Sequence, residues 1–441
     1  MLEKLTSIFI ALLLSVFLLS VPLDSGYQVI SALKYTLFMA ICGGYCIMAI
    51  IARASLAIDK SMPLKIEPKK EPTAIIMLSF ILLTAISAIL SEHATFLGSF
   101  RREGFLTLTI YITVCFLVSK YAKPAKHMLY ILSIAVCIFC ALSFIQLAGF
   151  NPLTLYPEGH NFYGAGIYYS SKFIGTTGNT GFGGAFLCVA SGICLMSIIK
   201  LKSKTRWLLL IPLSTSTAVI FTVGINAAIV ALCAGSLIAI PMSMQGKKRI
   251  YAACASLGII VTALAVLWFY GGPQHGMIYE ASEMLHGRWQ DAHGTSRVLI
   301  WRSIANSMDT RTMLIGTGPD TLGHWRALTF AEYKKGSGVF ATSQVDAAHN
   351  EYLHILVSTG LPSLLCHLAL LSYAMLGWFR NPDNKISAIA GTGVVFYCVQ
   401  AIFGISMYIS APFFWVCLGV MLQANKIKQE PKKNRLDMRR T

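Results

Sequence analysis

Charge is what this sequence has least of: only 12% of its 441 residues are Asp, Glu, Lys or Arg, against 55% hydrophobic. That balance excludes a soluble globular protein of this length and leaves a polytopic membrane protein. Cysteine is absent from Gly271 to Asn350, the longest hydrophilic stretch, and the twelve that exist fall almost wholly inside apolar runs. No second pair accompanies Cys137-Ile138-Phe139-Cys140, which argues against a disulfide framework and for small buried hydrophobes. Histidines at metal-ligand spacing are lacking too, so the reading is of no metal and no cofactor.

Apolar runs long enough for a bilayer occur near 5–23, 29–52, 73–91, 104–119, 127–149, 181–199, 206–222, 225–242, 250–270, 353–379, 386–403 and 405–423, twelve in all. The first could pass for a signal peptide, but further spans follow at once, so it reads as an uncleaved helix. The seventh and eighth are split at the Gly-containing break Thr222–Asn226, because 206–242 is too long for one crossing. The net charge of +17 suggests a polyanion partner until the basic residues are placed. With the N-terminus inside, 25 Lys and Arg fall on inner segments and ten outside, seven of those ten in the one long loop. That is the asymmetry of the positive-inside rule, so the charge is mostly topology and nucleic acid is not a partner. The resulting division is a membrane domain over 1–270, an extracytoplasmic and partly helical loop over 271–350, a second membrane segment over 351–424 and a basic cytoplasmic tail over 425–441.

Inside the long loop, Val298, Ile300, Trp301, Ile304 and Ala305 recur at helical spacing, which predicts a helix over 297–308 and a cap lying on the outer surface. The loop ends in Asp346-Ala347-Ala348-His349-Asn350-Glu351-Tyr352-Leu353-His354, where it runs into the tenth apolar run. Asn350 is a favoured helix cap, which puts His349 at a helix N-terminus, where the dipole keeps an imidazole neutral and fit to act as a general base. Capping or packing is the equally weighted alternative. Arg297, Arg302, Arg101 and Arg102 are planar cationic donors on the same side, suited to a diphosphate, and any one of them could instead serve only surface pairing. Gly178-Asn179-Thr180-Gly181-Phe182-Gly183-Gly184 opens the sixth run, either as an anion-binding helix start or for tight packing. Gly316-Thr317-Gly318-Pro319-Asp320 is a turn with weak phosphate-loop character and no lysine.

These pieces resemble the O-antigen ligase and polymerase superfamily of bacterial envelope proteins. The resemblance is carried by Asp346 through Leu353 with Ser358-Thr359-Gly360-Leu361-Pro362 after it, by Arg297 through Trp301 followed by Gly316-x-Gly318, by Gly178-Asn179, and by Arg101 to Gly104. It implies an all-α fold of about twelve spans related to the integral-membrane (GT-C-like) glycosyltransferases. It also implies transfer of a glycan from an undecaprenyl-diphosphate carrier to a glycan or lipid-glycan acceptor at the lipid bilayer, without metal or nucleotide sugar. His349 would be the base and Arg297 a diphosphate contact, with Arg302, Arg101, Arg102, Asn350 and Asn179 as further contacts to diphosphate or saccharide. Where the family often has Ser-Arg-Gly between the seventh and eighth helices, this chain has Gly224-Ile225-Asn226, so a second phosphate-binding arginine is missing and Arg101 and Arg102 are the cations available to replace it. Ligase and polymerase differ only in the acceptor and are not separated. A lipid-linked saccharide transporter is the competing class, disfavoured by the nine-and-three division of the helices and by few charges within the spans, Lys34 being the clearest. A catalytically inactive scaffold is the third reading.

Overall fold

The computed structural model describes residues 1–22, 29–58, 71–156, 159–164, 174–325, 328–334 and 339–426, with side chains left undescribed over 330–343. The expected tail after 426 and the basic residues Lys60, Lys65, Lys69 and Lys70 lie outside the described residues. Each of the twelve apolar runs overlaps a helix, although 405–410 of the last run is turn and loop. In order these are α1 (Leu2–Leu12, continued by a π turn at Leu13–Phe17), α2 (Ile30–Ile58), α3 (Pro72–Ile89), α4 (Phe105–Tyr121), α5 (Lys126–Leu147), α6 (Thr180–Lys200), α7 (Leu210–Val223), α8 (Asn226–Met242) and α9 (Gly246–Trp268). After the hydrophilic stretch come α13 (Glu351–Arg380), α14 (Lys385–Ala401) and α15 (Ala411–Lys426). By length and composition seven of the helices can cross a membrane, while α4, α8 and α14 are apolar but shorter.

Between α9 and α13 the chain forms three short helices, α10 (Met277–Leu285), α11 (His293–Ser307) and α12 (Thr310–Ile315), and then a hairpin. The hairpin pairs β1 (Thr329–Lys334) with β2 (Val339–Gln344) antiparallel, Thr329 opposite Gln344 and Lys334 opposite Val339. Strand was not expected anywhere, and this hairpin is the one departure from an all-helical chain among the described residues. The helix expected over 297–308 is the regular part of α11: Gly294, Thr295 and Ser296 all have positive φ, so the helix proper starts at Arg297. Val298, Ile300 and Ile304 turn inward as their spacing requires.

The bundle is centred on α6, most of whose residues are buried. It meets α14 backbone to backbone: a Cβ at Gly192 would lie 2.9 Å from the carbonyl oxygen of Thr392. Without a hydrophobic drive between helices in lipid, such close approach of small residues is what holds spans together. At the other extreme, α9 buries none of its residues. A second, smaller core gathers Ile300, Ile304, Leu322, Leu328, Ala348 and Val357 at the base of the cap, with Trp301, Trp325 and Leu353 packed around it.

Lys34 is fully buried, yet it does not stand free within the span. Its ammonium donates to the carbonyls of Phe17 and Leu18, the latter at 2.7 Å, and lies over the Phe17 ring. These are carbonyls at the C-terminal end of the first helix, which have no partner within that helix, and a cation there also meets the negative end of the dipole. Lys34→Met leaves the Phe17 carbonyl without its donor, at roughly 1–3 kcal/mol, while the Thr176 hydroxyl still donates to the Leu18 carbonyl at 2.6 Å. A clear fall in the thermal unfolding midpoint of purified protein is expected, and an unchanged midpoint would contradict this role.

Candidate functional site

The loop segment before α13 is fixed at two points around His349. Asn350 has extended φ and ψ and caps α13, its side-chain oxygen accepting from Leu353 N at 3.0 Å. His349 directly before it is left-handed, with φ of 48°, a conformation in which histidine is enriched among residues other than glycine. Trp301 of α11 donates its indole N–H to the carbonyl of Ala348 at 2.9 Å, so the cap helix holds the histidine loop directly.

Around the imidazole the structure assembles charge from distant parts of the chain. Arg297 and Arg101 act on it electrostatically, as do Asp346 and His354. Arg297, half-buried at the start of α11, donates to the carbonyl of Phe403 at 3.2 Å and to that of Gly294. Burial lowers its pKa, and a guanidinium has ample margin to stay charged. Arg101 makes an ion pair with Asp346 at 2.6 Å across 245 residues of sequence. His349 itself is pushed down to about 4, first by burial and then by the charges of Arg297 and Arg101, with Asp346 opposing. A neutral ring was expected from the helix dipole. The ring is neutral at ordinary pH, but for a different reason, since desolvation and two guanidinium groups set it. Among the described residues its nitrogens make no hydrogen bond, so they are available to a substrate.

The other candidates are dispersed. Arg302 pairs with Asp291 at 2.5 Å on the half-exposed cap surface. Arg102 points elsewhere, its guanidinium over the Tyr35 ring at 4.9 Å. Asn179 caps α6, accepting from Gly181 N at 2.6 Å, and the glycines after it serve packing: a Cβ at Gly184 would lie 2.7 Å from Cγ2 of Ile225. Ile225 therefore occupies its position as a buried wedge against α6.

The turn Gly316-Thr317-Gly318 is no phosphate cradle. Pro362 has no N–H, so the carbonyl of Ser358 loses its helical donor, and the break at Gly360 frees that of Val357 as well. Thr317 N takes Val357 O and Gly318 N takes Ser358 O, each at 2.9 Å, and Ser87 Oγ adds a bond to Ser358 O at 2.8 Å. The turn splints a broken helix.

The residue that sequence reasoning missed is Asp320, at the end of that turn. Fully buried, it accepts at one oxygen from Phe100 N at 2.9 Å and Arg101 N at 2.7 Å. Burial raises its pKa, and those two N–H groups oppose the rise. It thus ties the loop carrying Arg101 to the cap, and only its place after Gly-x-Gly-Pro hinted at a role. Asp320→Ala leaves two part-buried N–H groups without their acceptor, at about 1 kcal/mol each. Lower thermal stability and weaker donor binding are expected, with Asp320→Asn milder because one oxygen acceptor remains. Equal effects of the two substitutions would contradict this.

Residues 211–368 match the family model described as O-Antigen ligase. Over this stretch the chain is similar to the O-antigen ligases. The match runs from α7 through the whole cap into α13, so it takes in Ile225, Arg297 and His349, while Arg101 lies outside it. It supports a glycosyltransferase-like membrane enzyme, ligase-like toward envelope polysaccharide. No match was found among curated proteins.

Proposed function

We propose that this protein is an inverting, metal-independent glycosyltransferase of a bacterial cytoplasmic membrane. It moves a saccharide from an undecaprenyl-diphosphate carrier to the hydroxyl of a glycan or lipid-glycan acceptor. The observation that carries the reading is a half-buried imidazole at the start of α13 that feels the charges of two guanidinium groups, His349 with Arg297 and Arg101. In this reading twelve spans leave both termini in the cytoplasm, and residues 271–350 form the extracytoplasmic cap between membrane segments 1–270 and 351–424.

His349 takes the proton of the acceptor hydroxyl as the acceptor oxygen attacks the anomeric carbon. The bond from that carbon to the diphosphate oxygen breaks, and the carrier leaves with the electron pair. Diphosphate is a good leaving group, and cations aimed at the charge it gains supply the remaining help. Arg297 and Arg101 supply them here. Arg101 fills the place of the arginine that Ile225 displaces, exchanging part of its contact with Asp346 for phosphate oxygen. Arg302 and Arg102 lie at the periphery and meet saccharide or headgroup, and Asn350 and Asn179 act through the helix ends they cap. The transporter reading loses its clearest support, since Lys34 is committed to a helix end.

The test is reconstitution in lipid nanodiscs with a defined undecaprenyl-diphosphate oligosaccharide, with and without acceptor, and separation of the products by chain length. Single transfer to added acceptor identifies a ligase, and a ladder made from donor alone identifies a polymerase. Release of no carrier diphosphate under either condition would overturn the proposal.

A further inference from the structure

Arg101 and His354 join the imidazole cluster to a cavity of about 40 Å³, which also reaches Glu103, Asp320, Glu351 and His367. That is room for roughly two or three water molecules. Its walls hold an unusual number of unpartnered polar atoms. Glu351 Oε2, Asp320 Oδ1, Ser358 Oγ, Arg101 Nε and Nδ1 of both His354 and His367 are buried without a hydrogen-bond partner among the described residues. Native interiors satisfy nearly all such groups, and each dry one is costly. The set includes both an N–H that needs an acceptor and carboxylate oxygens that need a donor. Water serves both, whereas a metal cation would be opposed by the Arg101 guanidinium.

Two of the lining groups are carboxyls with no cation to balance them. Glu103 and Glu351 are only 6% and 5% exposed, and neither is in an ion pair among the described residues. Glu103 accepts from Tyr111 Oη at 2.8 Å and from Tyr408 N at 2.7 Å. Burial pushes it up to about 8, with Asp320 and Glu351 adding to the rise and those two hydrogen bonds opposing it. Tyr397 and Ser406 face Glu351 from the α14 side, and Arg101 and Asp346 act on His354. Both carboxyls line the same small cavity, and burial of this kind favours the protonated form of a carboxyl. An imidazolium at His349 would stand beside two guanidinium groups, a poor resting place for a proton. The carboxyls share a cavity with Arg101, which also acts on His349, and are a better one.

We propose that this cavity is a hydrated proton-holding site in which Glu351, paired with Glu103, receives through His354 and cavity water the proton that His349 takes from the acceptor. The N–H bond on His349 breaks, an O–H bond forms on the Glu351 carboxylate, and the imidazole is again neutral. The carboxylic acid then gives its proton to bulk water before the next turnover. The origin of the proton rests on the base reading of His349, whereas the titrating carboxyl does not.

The experiment is infrared difference spectroscopy of the full-length protein in nanodiscs over a pH titration, in H₂O and D₂O. A protonated-carboxyl C=O band that titrates and shifts on deuteration is expected, reduced in Glu351→Gln and Glu103→Gln and intact in the surface control Asp291→Asn. No titrating band in the unsubstituted protein, or a band indifferent to both glutamines, overturns the proposal. In the transfer assay Glu351→Gln is expected to lower kcat about tenfold or more with KM unchanged, and Glu351→Asp to recover part of it. A purely structural role would move the unfolding midpoint and KM instead. His349→Gln is expected to keep the band while losing transfer; full transfer in that variant would sink the base reading and leave the carboxyl site to be judged by the band alone.

Discussion

Glycan transfer by His349→Gln is expected to fall by roughly 10²–10⁴-fold in kcat, the usual weight of a general base, while the unfolding midpoint stays close to that of the parent protein. The fold is spared because the ring makes no hydrogen bond among the described residues and the loop is held by Trp301 and Asn350. Glutamine fills similar space and can hydrogen-bond the acceptor, but it cannot take its proton. The pH profile gives a second, independent readout. A histidine base works in its neutral form, so activity is present above its pKa and lost as pH falls through it. With His349 pushed down to about 4, the acid limb of kcat/KM belongs near that value instead of near the ordinary imidazole range. Arg101→Gln removes one of the charges that lowers it and frees Asp346, which raises it, so the limb moves up. Bound diphosphate adds negative charge beside the same ring, and the acid limb of kcat therefore lies above that of kcat/KM. A profile unmoved by Arg101→Gln would separate Arg101 from the site.

How much of this could be read beforehand follows from the range of each interaction. Helices announce themselves through local apolar length and period, and for that reason the all-helical membrane character and the start of α11 at Arg297 were legible. His349 was legible as well, because its helix-end position is written in the next residue, Asn350. Its electrostatic setting was not: Arg101 reaches Asp346 across 245 residues, and no periodicity records such a pairing. Asp320 was opaque for the same reason, since its partners are main-chain N–H groups in another segment. The hairpin after Leu328 forms in a stretch whose neighbours are helical, where strand pairing is set by context more than by propensity. At Ile225 the sequence showed only what was missing, and the packing against Gly184 shows what stands there instead. Gly316-Thr317-Gly318 was readable as a turn but not as a splint, because the carbonyls it satisfies are freed by a glycine break and a proline more than 40 residues later.

That splint makes Gly360→Val the substitution with the largest expected effect on folding. Gly360 has φ 84° and ψ 166°, a region open essentially to glycine alone. A Cβ there would lie 2.4 Å from the carbonyl oxygen of Leu314, backbone that belongs to α12 and has no flexible end to yield. Valine brings backbone strain on the order of 1–3 kcal/mol, and the forced separation of α12 from α13 puts Thr317 N and Gly318 N out of reach of Val357 and Ser358. Three polar groups, Thr317 N, Gly318 N and the Val357 carbonyl, then lose their partners together, each worth roughly 1–3 kcal/mol, while Ser87 still donates to Ser358 O. With the strain, the sum of roughly 4–12 kcal/mol is comparable to the whole stability of an ordinary domain, so little folded protein should be recovered in detergent, and what is recovered should unfold at a much lower temperature. Leu361→Val, one position along, is the control: it changes side-chain size without demanding positive φ and should behave nearly as the parent. If Gly360→Val folds as well as that control, the carbonyls of the broken helix have another source of donors and the cap is not docked by them. Because Asp320 leaves the same turn to hold Arg101, any folded Gly360→Val protein should also lose transfer, linking the helix break in α13 to the charge beside His349.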